Sequence, residues 1–151
     1  MVFEICRYAS GRTGVERMIR IIYISTSRVE IVKRELDLIL SVSRRNNRNF
    51  GVTGLLLAGG RRFLQVLEGP EGAVTQTYDR IKADERHFAT VLLSKQLIAE
   101  RNFADWDMGF QPASALNGPG SVADDVSAMI ARIKDPTVYA YFSEFAKRHA
   151  A

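Results

Sequence analysis

The sequence predicts a single α+β domain in which two helices lie on one face of an antiparallel sheet. Segments rich in β-branched and aromatic residues are interspersed with amphipathic stretches of helical period, in the order β-α-β-β-α-β-β. The two middle strands are separated only by a short glycine-containing turn, which is typical of a hairpin. The 151 residues suffice for one well-buried core and are short for two domains.

The first strand is predicted at residues 18–27, "MIRIIYISTS". The residues that share one of its faces are Ile19, Ile21, Tyr23 and Ser25. Ser27 and Glu30 then match a capping box, so a helix is expected to begin there and to run to about Asn46. The stripe of this helix that has helical spacing consists of Val32, Leu36, Ile39, Leu40, Ser43 and Asn47.

The stretch "FGVTGLLLAGGRRFLQVLEGP" predicts the central hairpin. Both strands are apolar on both faces, so we expect the hairpin in the middle of the sheet. In its second strand, Gln65 falls on the same face as Phe63 and Leu67. A buried amide without partners costs about 1–3 kcal/mol. Gln65 is therefore expected either to bond neighbouring backbone or to face a flat polar ligand.

The second helix is expected from Pro70 to about Glu85. Its buried side is predicted to contain Val74, Thr77, Tyr78 and Ile81. A fourth strand is predicted at residues 89–99, and "RNFADWDMGF" at residues 101–110 predicts a fifth through its strict alternation. This order of elements fits a ferredoxin-like sheet with both helices on one face.

The predicted organisation has four parts, in chain order. They are an N-terminal extension (1–17), the globular domain (18–111), a Pro- and Gly-containing linker (112–120) and a helical appendage (121–151). The appendage predicts one short helix from Ser121 and another from Asp135-Pro136. The apolar stripe of the latter is Val138, Tyr141, Phe142 and Phe145. These helices are too short to fold alone, so we expect them to pack on the open face of the sheet.

Composition argues against several classes of function. The single cysteine, Cys6, and two distant histidines provide neither a disulfide framework nor a metal site. No apolar run approaches the roughly 20 residues that cross a bilayer, and no signal peptide is evident. We therefore expect a cytoplasmic protein without a membrane partner. The net charge of +4 is spread along the chain, which does not favour nucleic-acid binding.

Polar residues of the predicted helix end and strands converge on one place. Asn46 and Asn47 close the first helix, and Tyr23 and Gln65 lie in mid-strand. Each has an ordinary structural alternative, since Asn often ends a helix, Tyr often belongs to a core, and a Gln amide can bond backbone. Together, amides match the edges of adenine or of a flavin, and arginines suit phosphates. The residues alone thus predict binding of a nucleotide-like ring.

The ordered motifs "RIIYIS", "SRRNN", "GVTGLLL", "RFLQVLEG", "IKADERH" and "FADWDMGF" resemble a BLUF domain, a sensor of blue light that uses FAD. The resemblance extends from Ile19 to about Gln111. It implies non-covalently bound FAD, with FMN or riboflavin as alternatives, and a sensory rather than an enzymatic role. Because the chain leaves no room for a catalytic output domain, we expect it to signal to a separate effector protein and to form a homo-oligomer.

The resemblance also implies roles for individual residues. Tyr23 corresponds to the light-driven electron donor, Gln65 to the glutamine that bridges tyrosine and flavin, and Asn47 to the asparagine at the flavin edge. Electron and proton transfer would leave the amide rotated or tautomerised and shift the absorption to the red. The further cofactor contacts implied are Ile39, Ser43, Asn46, Arg80, Ile81, Asp84, Arg86 and His87, and the pair implied in signal output is Trp106 and Met108.

Two other functions fit the same fold. An acylphosphatase-like hydrolase would need a glycine-rich phosphate loop after the first strand, where this chain has "STSRVE". An RNA-binding sheet would need exposed aromatic residues for base stacking. The turn lacks that glycine-rich cradle and the strands lack an RNP-like motif, so both functions are weaker alternatives to the photoreceptor.

Overall fold

The structure is a computed structural model that describes residues 16–104, 109–112 and 134–149. Its elements are β1 (Met18–Ser27), α1 (Lys33–Phe50), β2 (Thr53–Gly59), β3 (Arg62–Pro70), α2 (Glu71–Ala83), β4 (His87–Leu97), β5 (Gly109–Pro112) and α3 (Pro136–His149). One sheet has the strand order β4-β1-β3-β2-β5. β5 runs parallel to β2, and the other neighbours are antiparallel. The predicted α+β fold, its order of elements and the central hairpin are confirmed.

Each face of the sheet carries its own hydrophobic core. On one face, β1 and β3 pack against α1 and α2; the buried residues are Ile19, Ile21, Tyr23, Leu40, Val52, Leu56, Leu67 and Val74. On the other face lie Ile22, Leu55, Leu57, Leu64, Val66, Phe103, Val138, Phe142 and Phe145. The last three belong to α3, so the predicted docking of this helix on the open face is confirmed. The helix predicted from Ser121 lies outside the described residues.

The start of α1 differs from the prediction. Ser27 still belongs to β1, and its hydroxyl donates to the Val29 carbonyl at 2.7 Å instead of capping a helix. The helix begins at Lys33, after an extended segment. It also runs past Asn46, because the chain first leaves helical geometry at Gly51, whose φ of 69° is readily available to glycine. The capping-box prediction was therefore wrong.

The predicted fifth strand was wrong in its first part. Residues 101–104 form a bend because the carboxylate of Glu68, buried in β3, accepts hydrogen bonds from two backbone N–H groups there. The donors are Asn102 at 2.9 Å and Phe103 at 2.7 Å. Among the described residues, pairing with β2 is found from Gly109, which lies opposite Leu55. The hydrogen bonds to the Glu68 carboxylate thus take the place of the strand pairing that the sequence alternation predicted for residues 101–104.

The boundaries of α2 and β4 are also shifted. Pro70 precedes α2 as expected, and Val74 and Thr77 are buried. The helix ends at Ala83, since Asp84 is already extended, and β4 starts at His87, earlier than predicted. Across the described residues, no helix combines the length and apolar character needed to cross a membrane.

Candidate functional site

A cavity of about 630 Å³ opens between α1 and α2, with β1 and β3 at its base. The cavity is lined by the residues that the family resemblance implies as photochemical or cofactor contacts. They are Tyr23, Ile39, Ser43, Asn46, Asn47, Gln65, Arg80, Ile81, Asp84, Arg86 and His87. All of these predicted site residues within the described chain are thus brought together. Trp106 and Met108 lie outside the described residues.

Tyr23 and Gln65 are paired across the base of the cavity. They are register partners on the antiparallel strands β1 and β3, and Leu56 of β2 is the register partner of Gln65 on its other side. Directly opposed side chains lie on the same face, with Cβ atoms about 4.5–5.5 Å apart. Gln65 is 5% exposed. Its amide is thus held inside the row that the alternation predicted, next to the tyrosine.

The phenol of Tyr23 is held in its neutral form. Burial raises its pKa well above the ordinary value, and the neighbouring Tyr78 adds to the shift. The two rings are tilted by 53° with their centroids 5.2 Å apart. Tyr78 was predicted only as part of the buried side of α2. Its contact with Tyr23 could not be found from sequence, because it depends on how far α2 sits along β1.

The α1 wall combines an apolar stretch with amides. Ile39 and Ser43 are half-buried, and Asn47, one turn further, is only 2% exposed. Asn46 beside it also lines the cavity. Because residues three and four apart share a helix face, one side of α1 presents an apolar wall that ends in two carboxamides. This confirms the predicted change from apolar to polar along the stripe.

The α2 wall is built around Ile81, with Thr77 on the preceding turn. The Thr77 hydroxyl donates to the Ala73 carbonyl at 2.8 Å, so its hydrogen bond is made within the helix. Arg80 extends from the same wall, with its guanidinium carbon 5.1 Å from the centroid of the Phe50 ring. This cation–π contact bridges α2 and the end of α1 beside the cavity.

The segment between α2 and β4 supplies charged groups at the rim. Arg86 donates from Nε to both carboxylate oxygens of Asp84 at 3.0 Å, and its backbone N–H donates to the same side chain at 2.9 Å. These bonds hold the pKa of Asp84 below its ordinary value and raise that of Arg86. The Nε2 atom of His87 contacts the Ile81 carbonyl oxygen, which requires a proton on Nε2.

Several residues that line the cavity were not predicted from the sequence as site residues. They are Ser25, Ser27, Arg28, Val29, Ile31, Glu35, Leu38, Val42, Leu56, Phe63, Thr77 and Glu85. On α1, Leu36 and Leu40 point towards the sheet, while Leu38 and Val42 face the cavity and are partly open to solvent. Their spacing of four would have identified a second apolar strip beside the predicted one.

The cavity fits a flat heterocycle. Its volume falls within the roughly 300–1,000 Å³ of small-molecule sites. Ile39 and Ile81 face it from opposite helices, and the buried amides of Asn47 and Gln65 offer donors and acceptors at its base. In the described part of the chain, no group of three or more His, Cys, Asp or Glu side chains is arranged to hold a metal ion.

Residues 18–109 match the family model described as "BLUF: Sensors of blue-light using FAD". This match covers more than half of the 151 residues and includes both helices and the first four strands. The helical region that contains α3 lies beyond it. The sequence resemblance and the family model therefore point to the same part of the chain.

Relatives and solved structures agree with this match. The chain is 29% identical over 109 residues to the photoactivated adenylate cyclase subunit beta of Euglena longa, covering 72% of this chain and 13% of that protein. It is 36% identical over 83 residues to the blue light- and temperature-regulated antirepressor BluF of Escherichia coli K12, covering 55% and 21%, respectively. The dark-state structure of the BLUF protein BlrB superposes with a TM-score of 0.69 at 26% identity, covering 89% and 99%. The chain thus spans only a small part of the two curated relatives.

Proposed function

The chain belongs to the BLUF family, the sensors of blue light using FAD, and we propose that it is a photoreceptor in which Tyr23 and Gln65 convert light absorption into a changed hydrogen bond. The family binds FAD, and its domain is a photosensory module. The observation that carries the proposal is the register pairing of Tyr23 with Gln65 at the base of a ring-sized cavity.

The flavin ring would lie between the two helices. Ile39 and Ile81 would contact its two sides, and Asn47 would bond its polar edge, with Asn46 and Ser43 beside it. Arg80, Asp84, Arg86 and His87 would contact the flavin ring, the ribityl chain or the phosphate. The flavin would bind non-covalently, held by packing and hydrogen bonds from these side chains.

Bound flavin supplies an oxidant when it absorbs blue light. Tyr23 is the electron donor, and burial that keeps its phenol protonated means that loss of an electron makes the hydroxyl a strong acid. Gln65, its register partner across the strands, would accept the proton through its amide oxygen and pass it back. Return of the electron to Tyr23 together with this proton would leave the flavin and the tyrosine chemically unchanged and the amide rotated or tautomerised. The new hydrogen bond from the amide would shift the absorption to the red.

The change at Gln65 has a direct route to the other face of the sheet. Its chain neighbours Leu64 and Val66 point away from the cavity and belong to the core that includes Phe142 of α3. Its register partner Leu56 is in turn the partner of Phe110 in β5. We infer that the signal is carried by β5 and α3, together with Trp106 and Met108, which precede β5 in the chain. A homo-oligomer of the protein would pass this signal to a separate effector. A hydrogen bond worth about 1 kcal/mol supports a several-fold population shift.

Neither alternative function gains support. Residues 28–32, between β1 and α1, contain no glycine for a phosphate loop. The sheet face that would have to stack RNA bases is covered by Val138, Phe142 and Phe145 of α3. The family match also favours a sensory module over a hydrolase.

The test is the absorption spectrum of the protein loaded with FAD, recorded in the dark and after blue light. We expect a reversible red shift of the flavin band. Tyr23→Phe should bind flavin and lose the shift, because phenylalanine cannot supply the electron and proton. Gln65→Leu should lose it as well, because no amide remains to rearrange.

Asn47→Ala serves as the binding control, since it should weaken flavin retention without removing the shift from the fraction that stays loaded. A normal shift in Tyr23→Phe would contradict the donor role. Failure of the unmodified protein to bind any flavin would refute the photoreceptor proposal as a whole.

A further inference from the structure

Arg28 follows β1 directly and is fixed at the rim of the cavity. Its backbone N–H donates to the Arg86 carbonyl at 3.1 Å, and its Nε donates to the Glu85 carbonyl at 2.8 Å. Its own carbonyl accepts a hydrogen bond from Arg61. The guanidinium carbon lies 5.2 Å from the centroid of the Phe88 ring. The charged group is therefore held in one orientation although it is open to solvent.

Three arginines line the cavity, and they differ in how their charge is used. Arg86 is bonded to the carboxylate of Asp84 through its guanidinium nitrogens. Arg80 lies over Phe50 and makes no hydrogen bond within the described residues. Arg28 is fixed through Nε, and neither of its terminal nitrogens bonds any residue in the described part of the chain. Arg80 is thus held by a ring contact alone, whereas Arg28 combines a ring contact and a hydrogen bond from Nε with free terminal donors.

A guanidinium with two adjacent free N–H groups matches the oxygens of a phosphate ester. Because Arg28 is already positioned, less conformational entropy is lost when it binds an anion. We propose that Arg28 binds the phosphate of the flavin nucleotide and makes the site prefer FMN and FAD to riboflavin. This inference rests on the proposed function, since it needs a flavin in the cavity.

Acidic groups at the same rim moderate the expected effect. Glu35 and Glu85 also line the cavity, and Asp84 is paired with Arg86. The phosphate would therefore meet a nearly balanced set of charges, in which the geometry of Arg28 rather than an overall positive field provides the attraction. Loss of charge-assisted hydrogen bonds of this kind should lower the affinity for the phosphate roughly tenfold.

The experiment is a titration of the flavin-free protein with riboflavin, FMN and FAD, followed by flavin fluorescence, for the unmodified chain and for Arg28→Gln. We expect Arg28→Gln to lower the affinity for FMN and FAD about tenfold and to leave riboflavin within about twofold. The preference of the unmodified protein for FMN should shrink in about 1 M salt, since the contact is electrostatic and exposed.

Arg45→Gln is the matched control, because Arg45 is exposed on α1 and does not line the cavity. Equal losses in Arg45→Gln and Arg28→Gln, or an equal loss for riboflavin, would overturn the assignment. A phosphate-specific loss in Arg86→Gln but not in Arg28→Gln would place the phosphate at Arg86 instead. If the unmodified chain binds riboflavin as tightly as FMN, only this inference fails; if it binds no flavin, the proposed function fails with it.

Discussion

The two faces of the sheet are built in opposite ways. On the face covered by α3, the interior is closed by aromatic packing, with the rings of Phe103 and Phe142 edge to face at 6.2 Å and 78°. On the face covered by α1 and α2, the same sheet borders a cavity of about 630 Å³. One face thus provides packing, while the other leaves room for a ligand.

Buried polar groups follow the same division. On the α3 face, Glu68 is fully buried and accepts from Arg20 at 2.9 and 3.1 Å and from the Asn102 and Phe103 backbone. Arg20 also reaches Asp135 at the start of α3, at 3.3 Å. These protein donors hold the acid in place. On the cavity face, buried amides border open space, so their position suits recognition of a ligand. In this fold, the buried polar groups that adjoin the cavity are therefore the better candidates for contact with a ligand.

The largest effect is expected for Phe142→Ala on the closed face. Phe142 is fully buried in the α3 core, and removal of a buried aromatic ring costs about 3–5 kcal/mol because the surrounding side chains collapse only partly. Urea unfolding of the flavin-free protein measures this cost. Tyr139→Ala, at an exposed position of the same helix, should cost far less. Similar costs for both variants would mean that α3 is not packed as described.

Glu68→Gln is expected to lower the free energy of unfolding by about 3 kcal/mol, because Arg20 loses its counter-charge inside the protein. The contact of Arg20 with Asp135 keeps the loss near the lower end of the range for broken buried pairs. Glu144→Gln is the matched control, since Glu144 pairs with Arg148 at the surface of α3 and should cost below about 0.5 kcal/mol. A loss of unfolding free energy below about 1 kcal/mol for Glu68→Gln would show that water reaches the Arg20–Glu68 pair.

Ile39→Ala tests the open face and should behave in the opposite way. The side chain is half-buried and faces the cavity, so truncation loses fewer contacts and should cost below about 1.5 kcal/mol in the flavin-free protein. Flavin affinity should fall several-fold, because one side of the ring loses its apolar contact. Urea unfolding and flavin titration measure the two quantities. A stability loss as large as that of Phe142→Ala would remove the distinction between the faces.

Most of the fold was predictable because local signals agreed with the tertiary structure. Strand β1 was predicted at its observed bounds, and the apolar stripe predicted for the last helix contains Phe142, which packs on the sheet. The errors fall where a distant side chain overrides a local pattern. Glu68 takes the backbone N–H groups of Asn102 and Phe103, and no alternation within residues 101–110 could reveal that.

The candidate site was predictable where a residue type is unusual for its position. Gln65 in an apolar row and Asn47 at the end of an apolar stripe both stand out in this way, and both line the cavity. The rim was not predictable. Arg28 is an ordinary arginine after a strand, and its role depends on the path of the loop around Glu85 and Arg86, which sequence patterns do not define.

The smallest expected effect concerns the Asp84–Arg86 pair at the rim. Hydrogen bonds from Arg86 hold the pKa of Asp84 below its ordinary value, so the pair stabilises the fold at pH values above the ordinary Asp pKa. That contribution is lost as the pH falls through the lowered pKa of Asp84. Because Arg86 is largely exposed, the contribution should stay below about 0.5 kcal/mol.

An NMR titration of the Asp84 carboxyl carbon should place its pKa below the ordinary range. Arg86→Gln should return it towards that range, with Arg86→Lys intermediate because a lysine keeps the charge but not the planar fork. If Arg86→Gln leaves the titration of Asp84 unchanged, the two side chains are not paired in solution. The guanidinium of Arg86 would then be as available to a phosphate as that of Arg28.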